Sequence, residues 1–256
     1  MEVCYRYDGT FDGLLCCIFE SYVNHEWAAE ILTQEDPNFT LWDEREVATD
    51  PGRAGRVRRG LVKKTSPTFL RHLELAHLTC MPDRDMTLYS LIRRGLDEGR
   101  GVERDLTDPA VANMTLALRH LWGETEKLRG FTRFSDAEGV LVGEVEPKNR
   151  LLTLLGPFFA DRLRGERVVL YDRTHREALF CQGGRWAVLP AEDFHLGPAG
   201  AEEKGWRALW RRFYTTVSIQ GRENPRCQNT HLPKRYRPYM TEFQTEGPEE
   251  LPAGHT

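Results

Sequence analysis

Ala178-Leu179-Phe180-Cys181-Gln182-Gly183-Gly184-Arg185-Trp186-Ala187-Val188-Leu189 is the stretch on which the fold class turns. Two short runs of strand-forming residues flank a Gly-Gly pair. Glycine reaches positive φ without steric cost, so strands over 178–182 and 186–189 joined by a tight hairpin are expected. Val168–Asp172 reads as a third strand, Val140–Glu146 and Phe131–Phe134 as two more, with a turn around Asp136–Gly139. A helical pattern over Leu151–Leu163 interrupts them, and another follows over 200–214. Hairpins outnumber clear strand–helix–strand crossovers, which favours an α+β fold with a mainly antiparallel sheet and packed helices.

The first half has a different grammar. A short strand over 3–7 precedes a helix near Thr10–Asn24, whose Phe11, Leu14, Leu15, Ile18, Phe19 and Tyr22 recur at three- and four-residue spacing. Short extended pieces are expected next, with Phe39 and Leu41 pointing one way. Asp50-Pro51, Ser66-Pro67 and Asp108-Pro109 each put a capping side chain before a proline suited to a first helical turn. They predict helices near 51–64, 67–79 and 109–128, the last ending at Gly130, with another over 85–97. The expected organisation is a mainly helical region with a short N-terminal strand over 1–130, an α+β region with a basic C-terminal segment over 131–243, and a disordered tail over 244–256, or one integrated domain over 1–243.

Composition narrows the function classes. The 256 residues carry 35 Lys and Arg against 39 Asp and Glu, a net charge of −4, so a nucleic-acid site must come from local clustering. No apolar run approaches the ~18 residues needed to span a bilayer, and Met1–Asp8 is too polar for a secretory signal, so no membrane association is expected. The six cysteines form no CxxC pair, which argues against a disulfide framework, a zinc ribbon or an iron–sulfur site and for a cytoplasmic protein. No cofactor and no metal is expected.

Two clusters carry positive charge. Arg53, Arg56, Arg58, Arg59, Lys63 and Lys64 crowd one predicted helix. Such a face can follow a phosphate backbone, with Arg56 and Arg59 as candidate contacts, or it can be a solvated helix face. Between 204 and 237 the local balance is +8, with Trp206, Trp210, Phe213, Tyr214, Tyr236 and Tyr239 interleaved among the cations. Cations bind phosphates while ring faces stack on unpaired bases. Trp206 and Trp210, four residues apart, are expected in the core instead. Within Arg222-Glu223-Asn224-Pro225-Arg226-Cys227-Gln228, the candidates Arg222, Asn224, Arg226 and Gln228 offer groups that read base edges, or a polar loop that ties down its own backbone. Lys234, Arg235 and Tyr236 complete the candidate interface.

Catalytic signatures are sparse. HExxH, GxSxG, GxGxxG and the Walker lysine are absent from the sequence. Asp8 and Asp12 flank a helix start, where a carboxylate is stabilised by the dipole and serves as a cap. Asp172 with His175 is either a site or a charged hairpin turn. No catalytic residue is assigned.

Several segments together resemble a known family. They are Tyr7-Asp8-Gly9-Thr10-Phe11-Asp12-Gly13-Leu14-Leu15, Arg133-Phe134, Glu146-Pro147, Phe158-Phe159-Ala160-Asp161-Arg162, Tyr171-Asp172, Arg222–Gln228 and Leu232-Pro233-Lys234-Arg235-Tyr236. Together they span about residues 3–243 and resemble a bacterial family of DNA repair or DNA metabolism proteins, built on a domain of unknown function. Its members are encoded beside a radical SAM protein and are sometimes fused to a uracil-DNA-glycosylase-like domain. No such domain is expected here, and the sequence carries no CxxxCxxC signature of a radical SAM enzyme. Arg237 replaces the aromatic residue expected after the Arg-Tyr pair. The resemblance implies a nucleic-acid-binding accessory protein that presents damaged or single-stranded DNA to a radical SAM partner. The alternatives are a cryptic nucleic-acid-processing enzyme, such as a nuclease or base-processing activity, and a protein–protein adaptor.

Overall fold

The computed structural model describes residues 1–192, 201–217 and 224–243. The chain divides into two compact units, Met1–Trp122 and the residues from Gly123 onward. Both mix helices with a sheet, so the α+β class holds, but the sheets differ from expectation.

In the first unit β1 (Glu2–Tyr7) lies between β2 (Trp27–Thr33) and β3 (Asp43–Glu46), and both pairings are parallel. The N-terminal region is therefore not simply helical with one short strand. A parallel strand covered on both faces needs apolar residues in succession, and Val3, Cys4, Tyr5 and Tyr7 are all buried. β2 and β3 are the short extended pieces expected after the first helix; β2 has no clear bounds in the sequence because its pairing slips at a bulge between Val3 and Cys4, which breaks the alternation. Phe39 and Leu41 lie outside any strand, in the β2–β3 loop.

The helices follow their caps. In α1 (Phe11–Val23) the Thr10 hydroxyl accepts from Gly13 N; in α2 (Pro51–Lys64) the Asp50 carboxylate accepts from Arg53 N; in α3 (Pro67–His77) the Ser66 hydroxyl accepts from Phe69 N. α4 (Arg84–Glu98) and α5 (Pro109–Phe131) follow, and Asp108 caps the latter through Ala110 N and Val111 N. Leu14, Leu15 and Ile18 of α1 form one core with Leu61, Phe69, Leu73, Leu91 and Ile92 from the next three helices. The Tyr7–Gly13 motif seals the strand end against α1. Asp8 Oδ1 accepts from Thr10 N and Thr10 Oγ1, Oδ2 accepts from Thr49 Oγ1, and the buried Tyr7 hydroxyl donates to Asp85 at 2.9 Å. A methyl group at Gly13 would stand 2.3 Å from Asp8 Oδ1 and 2.7 Å from the Tyr7 ring.

The second unit holds a five-stranded sheet in the order β4 (Ser135–Ala137), β5 (Val140–Val145), β6 (Val168–Asp172), β7 (Glu177–Gln182), β8 (Arg185–Pro190). β5 and β6 are parallel and the other neighbours antiparallel, which corrects the mainly antiparallel expectation to a mixed sheet. The reason is α6 (Leu152–Arg162), which returns the chain so that β6 starts at the same end as β5. The expected strand at 131–134 is also corrected. α5 continues through Phe131, with Thr132 N and Oγ1 both donating to Leu128 O, and the strand begins at Ser135. The β7–β8 turn is as read, with Gly183 at φ 59° and Gly184 at φ 76°. Gly156 of α6 meets the Trp186 ring so closely that a Cβ would lie 2.5 Å from it. The expected tail at 244–256 lies outside the described residues.

Gly13→Ala is expected to destabilise the chain by about 1–3 kcal/mol, because Asp8, Tyr7 and Thr49 are held by hydrogen bonds and cannot retreat freely. Urea unfolding would measure it; an unchanged midpoint would refute the close-packing account of this motif.

Candidate nucleic-acid interface

Of the cations on α2, Arg58 is committed within its own unit, to Asp12 and Glu74, and Arg53 to Glu20. Arg56 and Arg59 are exposed and have no carboxylate partner among the described residues. Arg56 lies 6.0 Å from the Phe19 ring centroid. The candidate contacts Arg56 and Arg59, together with Lys63 and Lys64, are thus the exposed cations of this helix that no carboxylate holds among the described residues.

The C-terminal candidates separate by role. Arg222 lies outside the described residues. Asn224 is the N-cap of α8 (Pro225–His231), a helix the sequence reading took for a loop, and its Oδ1 accepts from Cys227 N at 3.0 Å. The capping group is therefore spent on the backbone, as the polar-loop alternative foresaw. Arg226 and Gln228 lie on the exposed surface of this helix. Lys234, exposed, opens a 3-10 helix over Lys234–Tyr239.

Arg235 and Tyr236 belong to the interior. The Tyr236 side chain is buried against Phe131, at 5.5 Å between ring centroids. Arg235 donates to Tyr236 Oη and to Glu124, whose side chain is only 1 % exposed. Glu124 also accepts from Lys148 N at 3.1 Å, Asn149 N at 3.0 Å and Asn149 Nδ2 at 2.6 Å. Burial pushes this carboxyl up, but the two backbone N–H groups and the Arg235 guanidinium outweigh it and hold it below the usual carboxylate range. Arg237 likewise turns inward, to Asn229 Oδ1 at 2.7 Å and Leu232 O at 3.3 Å. Nearby, burial and the hydrogen bond to Glu146 push the Tyr239 hydroxyl up to about 12.

α7 (Ala201–Val217) departs most from expectation. Trp206 is 62 % exposed and Trp210 41 %, where a core position was expected, and Leu209 between them is 57 % exposed. Lys204 and Arg212 on the same helix are exposed. Arg207 donates to Glu203 at 2.8 Å and to Ser135 Oγ at 2.6 Å, which fixes the helix to β4. The four-residue spacing puts Trp206 and Trp210 on one side of the helix, but it carries no information on whether anything covers that side.

The carboxylates weighed for catalysis are all engaged. Asp8 and Asp12 hold Thr10, Thr49 and Arg58. Asp172 is fully buried at the end of β6. Its Oδ1 accepts from Thr174 N and His175 N, and its Oδ2 lies 2.7 Å from His175 Nδ1. Among the described residues no group of three His, Cys, Asp or Glu side chains is placed to hold a metal ion. No helix among them is long and apolar enough to cross a membrane.

The family model for DUF4130, a domain of unknown function, matches residues 82–242. The chain belongs to the DUF4130 family. The DUF4130 segment contains the Glu124–Arg235 network, the whole five-stranded sheet, α7 and α8. The Tyr7–Leu15 opening, Arg56 and Arg59 all precede it. No curated protein and no solved structure matches the chain.

Glu124→Ala is expected to cost about 3 kcal/mol, the low end for breaking a buried pair, since Arg235 keeps 33 % of its side chain in water. Because the folded carboxyl sits below its ordinary range, its contribution is complete above about pH 4.3 and lost as pH falls through the depressed value. Glu124→Gln should therefore flatten the acid limb of the stability curve in urea titrations between neutral and acid pH. An acid limb identical to wild type would contradict the assignment.

Proposed function

We propose that this DUF4130 protein is a nucleic-acid-binding accessory protein of DNA repair or DNA metabolism that holds single-stranded or damaged DNA for a radical SAM partner. The observation that carries the reading is Trp206, 62 % exposed on a helix that also presents Lys204 and Arg212 to solvent. Lys204 and Arg212 project from other sides of the helix than Trp206, so the reading rests on one element that offers both an exposed indole and exposed cations, which suits unpaired bases because every base offers a π-face and every linkage a charge. Arg226 and Lys234, exposed in the same unit and without a carboxylate partner among the described residues, extend the phosphate-binding potential. Their placement in the family segment makes them better candidates than Arg56 and Arg59. Arg235 and Tyr236, held by Glu124 and Phe131, are not part of this surface.

The test is fluorescence anisotropy of a labelled single-stranded oligonucleotide titrated with the full chain. Binding should weaken by roughly 0.7 log unit per neutralised phosphate for each log of salt. Lys204→Ala with Trp206→Ala should weaken it about tenfold or more, within the ~1–3 kcal/mol range of a base–aromatic stack. Absence of binding at low salt, or a double variant that binds like wild type, would overturn the reading. The partner contact is tested by co-purification with the radical SAM protein, and a complex that survives nuclease digestion supports it.

A second reading, nucleic-acid processing, is favoured by Asp172 and His175. A buried carboxylate on Nδ1 fixes the imidazole tautomer and leaves Nε2 to exchange protons. Incubation of labelled DNA with wild type and His175→Gln decides it: turnover lost in the variant supports this reading, and no turnover by wild type removes it.

A further inference from the structure

The loop between β2 and β3 exposes three large apolar side chains in four residues: Phe39 at 101 %, Leu41 at 103 % and Trp42 at 45 %. It is nevertheless anchored. Arg6 Nη1 donates to Thr33 O at 2.9 Å and Asp36 O at 3.1 Å, Nη2 to Asn38 O at 3.3 Å, and Nε to Glu44 at 2.7 Å. One arginine thus ties both stems of the loop to β1 and presents its tip. A tip held in one shape loses less entropy on docking than a free one. The surrounding sequence is acidic, with Glu35, Asp36, Asp43, Glu44 and Glu46 against Arg45, and it stays so after Arg6 neutralises Glu44. That charge opposes nucleic acid and anionic bilayers, and selects an apolar site with a cationic rim.

The five-stranded sheet carries such a site. Val169, Phe180 and Ala187 are register partners across β6, β7 and β8, so their side chains share one face. With Val140 they line a groove of about 520 Å³ in which Phe180 remains 39 % exposed. Arg167 and Arg185 stand at its rim, both exposed and neither with a carboxylate partner among the described residues. The volume falls within the ~300–1,000 Å³ that ligand-sized apolar groups fill.

We propose that this face receives the Asn38–Trp42 loop of a second copy of the chain, each copy giving its loop to the other. Phe39 and Leu41 cover Phe180 and Val169, while Glu35 and Asp36 meet Arg167 and Arg185. Exchange in both directions gives a closed pair and exchange in one direction an open chain, so the size of the assembly distinguishes them. The proposal uses neither Trp206 nor the cations of α7, so it stands or falls apart from the nucleic-acid reading.

Analytical ultracentrifugation of the full chain from low to high micromolar concentration tests it. Wild type should show a monomer–dimer equilibrium that weakens with salt. Phe39→Ser with Leu41→Ser, and separately Arg167→Glu with Arg185→Glu, should each weaken dimerisation at least tenfold. An equimolar mixture of these two variants retains one intact loop–groove contact and should form a mixed dimer that neither forms alone. Should the loop variant fail to fold, as judged by circular dichroism, Glu35→Arg with Asp36→Arg replaces it. Combining that pair with Arg167→Glu and Arg185→Glu in one chain should restore wild-type association. A wild type that is monomeric throughout, a dimer indifferent to both variant pairs, or a mixture that fails to associate would each overturn the proposal.

Discussion

The second unit is organised around one buried carboxylate. Glu124, on α5, accepts from the backbone where β5 hands over to α6, at Lys148 and Asn149, and from Arg235 of the C-terminal segment. An anion with 1 % of its side chain in water is tolerable only if its oxygens are filled. That requirement couples segments more than a hundred residues apart in sequence. The turn after β5, the inward Arg235 and the burial of Tyr236 against Phe131 satisfy or shield the same charge.

This constraint changes the meaning of the basic C-terminal stretch. Read along the chain, Lys234, Arg235, Tyr236 and Arg237 are a run of cations with an aromatic residue. In three dimensions Arg235 and Arg237 turn inward to Glu124, Asn229 and Leu232 O, while Lys234 stays outside. The surface candidates are fewer than the local +8 suggests, and they lie on α7, on α8 and at Lys234, the first residue of the 3-10 helix. Exposed apolar groups show the opposite trend. Trp206, Phe39 and Leu41 belong by type in a core and lie in water, and the two proposed contacts rest on them.

The sheets show the same division. Local signals located β5 through β8 and the Gly183–Gly184 turn well, because alternation and glycine pairs are properties of a few neighbouring residues. Direction was not local: whether β6 runs with or against β5 depends on how α6 crosses the sheet, and hairpin counting missed it. The extended piece that becomes β2 has no bounds or direction in the sequence for a related reason, since a bulge breaks its period and only pairing to β1 fixes both.

What the chain determined by itself was helix ends and turns. Asp50, Ser66 and Asp108 cap through side chains that reach only two or three residues, so their neighbours suffice to specify them. Tertiary structure alone decided which cations are spent on carboxylates, which tryptophans lie uncovered and which strands run parallel. Each of these depends on groups brought together from distant positions, and desolvation of a charge or an indole is a property of the assembled surroundings rather than of the residue.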